Sequence, residues 1–549
     1  MANQKGQSMK NRKIVTLLLL VCAWATLVSA ADDKPAFEKK ELFINSADTI
    51  RLATDLYLPP GNGPFAAILI RTPYNKDGAK GDAEKLVKEG FVVVVQDTRG
   101  RLKTNGRFYA FAPEREDGLA TLKWIRSQSW SNGLVGGWGG SYVGYTQWAI
   151  ADQLDAATPL VTTADMYDAL QPSGIFSLAT CFNWGLIMNN PKIKVEKILA
   201  SYRTLPLSVA DDSTGLANAF VDDWLRHPAH DDYWQAMAFR KANKKPILSM
   251  AGWYDIFLEP QIQDFLALGK NRHKDSHLVI GPFAHGQITI PTDFGDNAKL
   301  ERYMKLARAF LVHNLKNPQE PANYPDSLLN KTYALFIVHR NQYYLCDEWP
   351  PQKSKPTKYY LSANNKLELK SPNEKGSAQY RYDPQDPYPS LGGSFLGVGV
   401  GPAWQNPNVA RKDQAVFESD SLSAPLTLLG PINASLDVSS DVASTEFYAS
   451  LQDVLPNGQI VNIQEGGAVW KGKANKNHRL DISLWSAGYE VAQGHKLRVV
   501  VSSSLFPRFN RNLNGGESAF TAKEMRTCQQ TVLFGRGQDS YVTLPVLQP

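Results

Sequence analysis

The sequence predicts an α/β protein that carries a second, all-β unit, and three observations predict it. From residue 64 to about 163, short β-rich runs alternate with helical patterns; the same strand signal returns at about 246 to 330 after an interruption; and from about 331 short β runs succeed one another with no helical pattern between them. Strand and helix in turn make a parallel sheet covered on both faces, whereas regularly spaced short strands make a sandwich or jelly roll. A chain of 549 residues with 43% hydrophobic and 20% charged residues is long enough for such a division.

Taken in order, residues 1–30 read as a secretory signal. Lys10, Arg12 and Lys13 precede an apolar run from Ile14 to about Leu27, and Val28-Ser29-Ala30 makes a small-residue cleavage site. Cleavage is favoured over lipidation, because bulky Val21 precedes Cys22. Lys5, Lys10, Arg12 and Lys13 leave with the signal, so the formal charge falls from +6 to +2. The basic balance is therefore no argument for nucleic acid, and the expected location is secreted or periplasmic. No later apolar run is long enough to span a bilayer. Cys181, Cys346 and Cys528 then remain, which allows one disulfide at most without saying which pair forms it.

The α/β unit covers 31–163 and 246–330. Its strand candidates are "PFAAILI", "GFVVVVQD", "GLVGGW", "AATPLVTT", "PILSMAGWYD" and "SHLVIGPFAHG", with helical "GAKGDAEKLVKEG" and "EDGLATLKWIRSQ" between the first three. Val92 to Val95 show no polar alternation, as a strand buried on both faces requires. Residues 164–245, with Trp184, Trp224 and Trp234 among helical patterns and polar turns, read as a helical cap inserted into the sheet. The runs "TYALFIVH", "NASLDVSSD", "STEFYASLQD", "RLDISLW" and "HKLRVVVSSS" assign 331–549 to the jelly roll.

"LVGGWGGSYVGYTQWAIADQL" places Ser141 between a strand and a helix, with Gly139, Gly140 and Gly144 around it. Glycines there permit the sharp turn and close strand-to-helix packing of a nucleophile elbow. The spacing is Gly-x-Ser-x-x-Gly, with Val143 where the last glycine of the common form stands. A serine hydroxyl needs a base and an orienting acid, which in an α/β-hydrolase core follow in the order acid, then histidine, on loops after later strands. Asp255 follows "PILSMAGWY" and His285 follows "HLVIGPFA", so each of the three residues lies at the carboxyl end of a predicted strand, where open α/β sheets bind ligands.

With these residues goes a family resemblance. "RTPYNK", "QDTRGR", "WSNGLVGGWGGSYVGYTQW", "GWYD" and "GPFAHG", with "YRYDPQDPYPSLGG", "GPINASLDVSSDVASTEFYASLQDVLPNGQ" and "FPRFNRN" in the tail, resemble the cocaine esterase and X-Pro dipeptidyl-peptidase superfamily, which includes the α-amino acid ester hydrolases. The resemblance implies a serine hydrolase with a triad of Ser141, Asp255 and His285. It also implies an oxyanion hole made by the Tyr74 hydroxyl and the backbone N–H of Tyr142. No cofactor and no metal is implied; the partner is a small-molecule ester or amide, and a homo-oligomer is compatible with it.

Phe182, Trp184, Trp253 and Phe257 are the candidates for an apolar substrate pocket. His227 and His230, beside Asp231 and Asp232, have metal-ligand types, but Pro228 breaks the helix between them and no third ligand follows. His313 and His339 are expected to be packed, and Asp97 and Arg99 to serve as scaffold ion pairs near the site. Ile256, Phe257 and Leu258 stand where the α-amino acid ester hydrolases carry acids for the substrate's ammonium, with Glu259 and Asp168 as the substitutes nearest by. The expected reaction is ester hydrolysis through an acyl-enzyme. The rivals are an acylase or amidase acting on β-lactam side chains or dipeptides, and a non-catalytic jelly-roll binding protein.

Overall fold

The computed structural model describes residues 37–215, 217–288 and 294–549. The expected signal, residues 1–30, lies outside the described residues. The first sheet has ten strands in the order β1-β2-β4-β3-β5-β6-β7-β8-β10-β11. These are β1 (Glu38–Asn45), β2 (Arg51–Leu58), β3 (Phe65–Thr72), β4 (Val92–Asp97), β5 (Ser131–Gly140), β6 (Ala156–Leu160), β7 (Leu248–Tyr254), β8 (His277–Ala284), β10 (Tyr333–Ile337) and β11 (Gln342–Cys346), while a short β9 (Gly286–Ile288) lies outside it. Strands β3 to β8 and β10 run parallel, and β1-β2 and β11 close the edges in antiparallel pairs. Val92 to Val95 are wholly buried, which is why this strand carries no polar alternation.

The chain passes from β3 to β4 through helix α1 (Lys80–Lys88), then from β4 through helix α2 (Glu114–Arg126) to β5 on the other side of β3. The strand order therefore reverses at β3 and β5. A crevice opens outside their carboxyl ends at such a switch point, and Tyr74 and Ser141 come from those two ends. Between β6 and β7 the chain leaves the sheet and forms helices, among them Leu178–Asn189, Val195–Ser201 and Ala219–Arg226. Their apolar sides meet in a cluster with Trp224 and Trp234 at its centre, which also takes in Tyr142, Tyr145 and Phe257 from below.

Of the strands from Ser354–Ser362 to Tyr541–Leu547, all described ones except Gly397–Val400 form an eleven-stranded, predominantly antiparallel system. It is all-β, as its unbroken series of short β runs predicts. One expectation is corrected. The run "TYALFIVH" does not begin the β unit: Tyr333, Ala334 and Leu335 pair in parallel with Leu278, Val279 and Ile280 of β8. An apolar run of this length, buried throughout, fits either sheet equally well by sequence. The two sheets share one core, sealed by the Trp253 indole N–H to Phe336 O (2.6 Å), Gln464 Nε2–H to Trp253 O (2.9 Å) and Val338 N–H to Gly488 O (2.9 Å). Cys181, Cys346 and Cys528 are all free thiols.

Candidate active site

At the end of β5 the chain turns so sharply that Ser141 adopts φ 57° and ψ −130°, a conformation few side-chain-bearing residues accept. Two glycines make the turn feasible. Gly139 has φ 122°, and a Cβ there would lie 2.4 Å from Val143 Cγ1; a Cβ on Gly144 would lie 2.5 Å from Thr162 Cγ2. The unusual Gly-x-Ser-x-x-Gly spacing thus answers the close approach of Thr162, which faces Gly144. Helix α3 (Tyr142–Trp148) starts immediately, its first turn closed by Tyr145 N–H to Ser141 O at 3.0 Å. As the first residue of that helix, Tyr142 has an N–H with no acceptor inside it.

Asp255 and His285 follow β7 and β8, and the sheet brings both to Ser141. His285 Nε2 is 2.9 Å from Ser141 Oγ, and His285 Nδ1 is 2.9 Å from Asp255 Oδ2. A carboxylate only accepts, so Nδ1 donates to Asp255 and Nε2 is left to accept the serine proton. The second Asp255 oxygen takes the Phe257 N–H (2.9 Å), and the carboxylate is fully buried. His285 is 7% exposed, with the Phe257 ring edge-on at 5.3 Å. The arrangement can deprotonate a serine hydroxyl and hold the resulting imidazolium, which is the requirement for nucleophilic acyl transfer.

Tyr74 lies beyond the end of β3, its ring edge-on to Tyr142 with centroids 6.5 Å apart, and its hydroxyl accepts the Trp184 indole N–H at 3.1 Å. The loop that carries it is pinned by Lys76 N–H to Asp97 Oδ1 (2.7 Å), and the Lys76 ammonium meets Asp55 at 2.6 Å. Burial pushes the Asp97 carboxyl up to about 6. Asp97 thus holds a backbone N–H rather than Arg99, which pairs instead with Asp48 and Asp117.

Of the four pocket candidates, Trp184 and Phe257 reach the site and two do not. Phe182 is fully buried inside the helical insertion against Phe176, and Trp253 is sealed between the two sheets. Both are core residues, a correction that follows from their neighbours, since an aromatic side chain by itself does not reveal whether it faces a cavity. His227 and His230 turn to different acids, Asp231 (2.7 Å) and Asp165 (2.8 Å). His313 sits 3.4 Å from Asp275, and His339 2.9 Å from the Tyr489 hydroxyl. Ile256, Phe257 and Leu258 are buried; Glu259 accepts from Ser486 Oγ at 2.9 Å, and Asp168 pairs with Arg240 at 2.6 Å.

Three features escaped the reading of the sequence. Glu114, at the start of α2, lies buried under the elbow; Trp184 donates to Tyr74; and the strand Gly397–Val400 of the β unit pairs with β9, directly after His285. An acid in the first turn of a helix looks like a favourable dipole contact, so nothing in "APEREDG" separates Glu114 from Glu116.

Known proteins share this organisation. A family model described as X-Pro dipeptidyl-peptidase (S15 family) matches residues 48–287, and one for the X-Pro dipeptidyl-peptidase C-terminal non-catalytic domain matches 344–543. A cocaine esterase of Rhodococcus sp. is 29% identical, over 91% of this chain and 97% of its own length. Among solved structures, an aminopeptidase from a marine sediment archaeon, Thaumarchaeota archaeon, superposes with a TM-score of 0.80 at 20% identity, covering 95% of this chain and 99% of the other. An α-amino acid ester hydrolase superposes with a TM-score of 0.77 at 22% identity, covering 95% and 98%.

Proposed function

The chain is a serine hydrolase of the cocaine esterase and X-Pro dipeptidyl-peptidase superfamily, and from that premise we propose that it hydrolyses neutral acyl esters through an acyl-enzyme on Ser141. The observation that carries the reading is the imidazole of His285 set 2.9 Å from both Ser141 Oγ and Asp255 Oδ2. His285 Nε2 accepts the serine proton as Oγ attacks the carbonyl carbon. The oxygen that gains charge is met by Tyr74 O–H and Tyr142 N–H. Collapse of the tetrahedral intermediate expels the alcohol, which leaves with the proton from His285. Water then repeats the sequence on the acyl-enzyme and releases the acid, with Asp255 orienting the ring throughout.

Preference for neutral over α-amino substrates rests on what surrounds Asp255. Burying an ammonium group is costly unless an anion meets it. The next three residues are apolar and buried, and Glu259 and Asp168 are already bonded to Ser486 and Arg240. The arginine- and lysine-bearing apolar pattern of residues 10–30 supports export, and among the described residues no helix is long and apolar enough to cross a membrane.

A fluorophosphonate probe and a paired ester assay test the reading. Wild-type protein is expected to label rapidly and Ser141→Ala to remain folded and unlabelled, since only an activated serine reacts. A neutral p-nitrophenyl ester is expected to exceed its α-amino counterpart in kcat/KM by about tenfold or more. Labelling that persists in Ser141→Ala removes Ser141 from the chemistry; a consistent preference for the α-amino ester, or for β-lactam or dipeptide amides, selects the acylase alternative.

A further inference from the structure

The side chain of Tyr142 is built into the site as thoroughly as its backbone. The ring is 2% exposed, stacks on Phe111 (5.0 Å) and on Trp184 (5.8 Å, planes 14° apart), and meets the Tyr74 ring edge-on. Trp184 in turn donates its indole N–H to the Tyr74 hydroxyl. At the far end of the ring, the Tyr142 O–H donates to Glu114 Oε1 at 2.7 Å and accepts the Phe111 N–H at 2.9 Å.

Glu114 is 1% exposed, and its other carboxylate oxygen lies 2.8 Å from Arg71 Nη1. Arg71 is on β3, three residues before Tyr74, and is itself 1% exposed. Its guanidinium also donates to Gln96 Oε1 (2.9 Å) and to the Glu114 carbonyl (2.7 Å). Burial drives the Glu114 carboxyl up and Arg71 opposes this, so the acid is held by its partners against a costly environment. Such a charge-assisted contact is short and directional, and it ties the first residue of α3 to a second helix 28 positions away. An apolar ring at position 142 would fill the same space without requiring a buried ion pair.

We propose that Glu114 is a positioning residue for acyl transfer: through the Tyr142 phenol it aims the Tyr142 N–H, and through the Tyr142 ring and Trp184 it sets the place of the Tyr74 hydroxyl. One buried Arg71–Glu114 pair thereby aligns both donors that meet the developing oxyanion. The proposal rests on the reading of Ser141 as nucleophile and deepens it. Oxyanion donors act only when they point at the transition-state oxygen, and a displacement that leaves ground-state binding intact costs rate alone.

The test uses Tyr142→Phe, which keeps the ring and the N–H, with Glu114→Gln, Glu114→Ala and Tyr74→Phe. The measurements are kcat and KM on a neutral p-nitrophenyl ester, inhibition by an alkylboronic acid that forms a tetrahedral adduct, and Tm. Tyr142→Phe is expected to lose about 10- to 100-fold in kcat with KM within about twofold, and boronate affinity by the same factor as kcat. Combined with Tyr74→Phe, the loss is expected to fall short of the product of the two single losses, because both act on one hole. Glu114→Gln, which retains an acceptor for the phenol, is expected to recover much of the rate lost in Glu114→Ala. Wild-type kcat in Tyr142→Phe, a change confined to KM, or independent losses with Tyr74→Phe overturns the proposal. Should the Glu114 variants not fold, Tyr142→Phe decides alone. Fluorophosphonate labelling that survives Ser141→Ala overturns the reading of the site and this proposal with it; labelling lost in Ser141→Ala beside undiminished kcat in Tyr142→Phe overturns this proposal only.

Discussion

The two sides of the active-site crevice are held in different ways. On the side of Ser141, Tyr74, Ser141 and Glu114 come from the ends of β3 and β5 and from α2. Arg71 pairs with Glu114 and donates to Gln96, Asp97 takes the Lys76 N–H of the Tyr74 loop, and the Phe111 N–H donates to the Tyr142 phenol, all within residues 71–142, while Trp184 of the helical insertion donates to Tyr74. On the histidine side, the loop after β8 is tied to distant chain. β9 pairs in parallel with Gly397–Val400, with Gly397 opposite Gly286, and that same segment is bound to the helical insertion through Asn183 Nδ2–H to Leu396 O (2.6 Å) and Leu396 N–H to Thr180 Oγ1 (3.2 Å). The side of Ser141 is thus held mainly within residues 71–142, with Trp184 of the insertion added, whereas His285, the proposed base, is set by the meeting of three parts of the chain. The C-terminal unit, matched by a family model called non-catalytic, touches the residue next to His285.

The largest effect that sharpens the contrast is expected on the histidine side. Asp255→Asn removes the acceptor that fixes the imidazole, and kcat is expected to fall by about 10⁴-fold; a loss below about tenfold in steady-state assays would mean that the surrounding loop alone orients His285. On the side of Ser141, Tyr74→Phe deletes one of the two proposed oxyanion donors and is expected to lower kcat by roughly 10²- to 10³-fold with KM little changed. A rise in KM with kcat intact would make Tyr74 a substrate-binding group.

A smaller effect addresses the tie to the β unit. A Cβ on Gly286 would lie 2.4 Å from the Gly397 carbonyl oxygen, so Gly286→Ala must push β9 and its partner strand apart. A kcat loss of about 10- to 100-fold is expected from the displaced imidazole, with the fold retained by circular dichroism. Unchanged kcat would break the contrast, leaving the base independent of the C-terminal unit.

The smallest effect is on stability. Asp97, under the Tyr74 loop, has a carboxyl raised by burial from 3.8 to about 6. A group raised on folding stabilises fully below its unfolded value and loses that contribution as pH rises through the folded one. Between pH 4 and 7 this amounts to a decline on the order of 2–3 kcal/mol. Asp97→Asn, which keeps an acceptor for the Lys76 N–H, is expected to flatten the fall of Tm over that range. An identical Tm profile in the two proteins would show that Asp97 is charged at no cost.

The alternation of strand and helix, the unpunctuated Val92–Val95 and the glycine pattern around Ser141 were legible because they are local: period, burial on both faces and backbone permissiveness are written in neighbouring residues. The order of Ser141, Asp255 and His285 was legible for a related reason, since parallel strands all present their carboxyl ends on one side of the sheet. Which sheet the strand Tyr333–Ile337 joins was not, because a short buried run carries no mark of its partner. Nor did composition separate Trp253, locked between sheets, from Trp184, bonded to Tyr74. The residues adjoining Gly286 and the acid beneath Tyr142 lie 111 and 28 positions away in the chain, Gly397 and Glu114 respectively. The sequence by itself determined the strands, the elbow and the chemical groups; only the tertiary structure decided what stands behind them, because contacts between distant segments depend on how whole elements pack and leave no periodic trace in either segment.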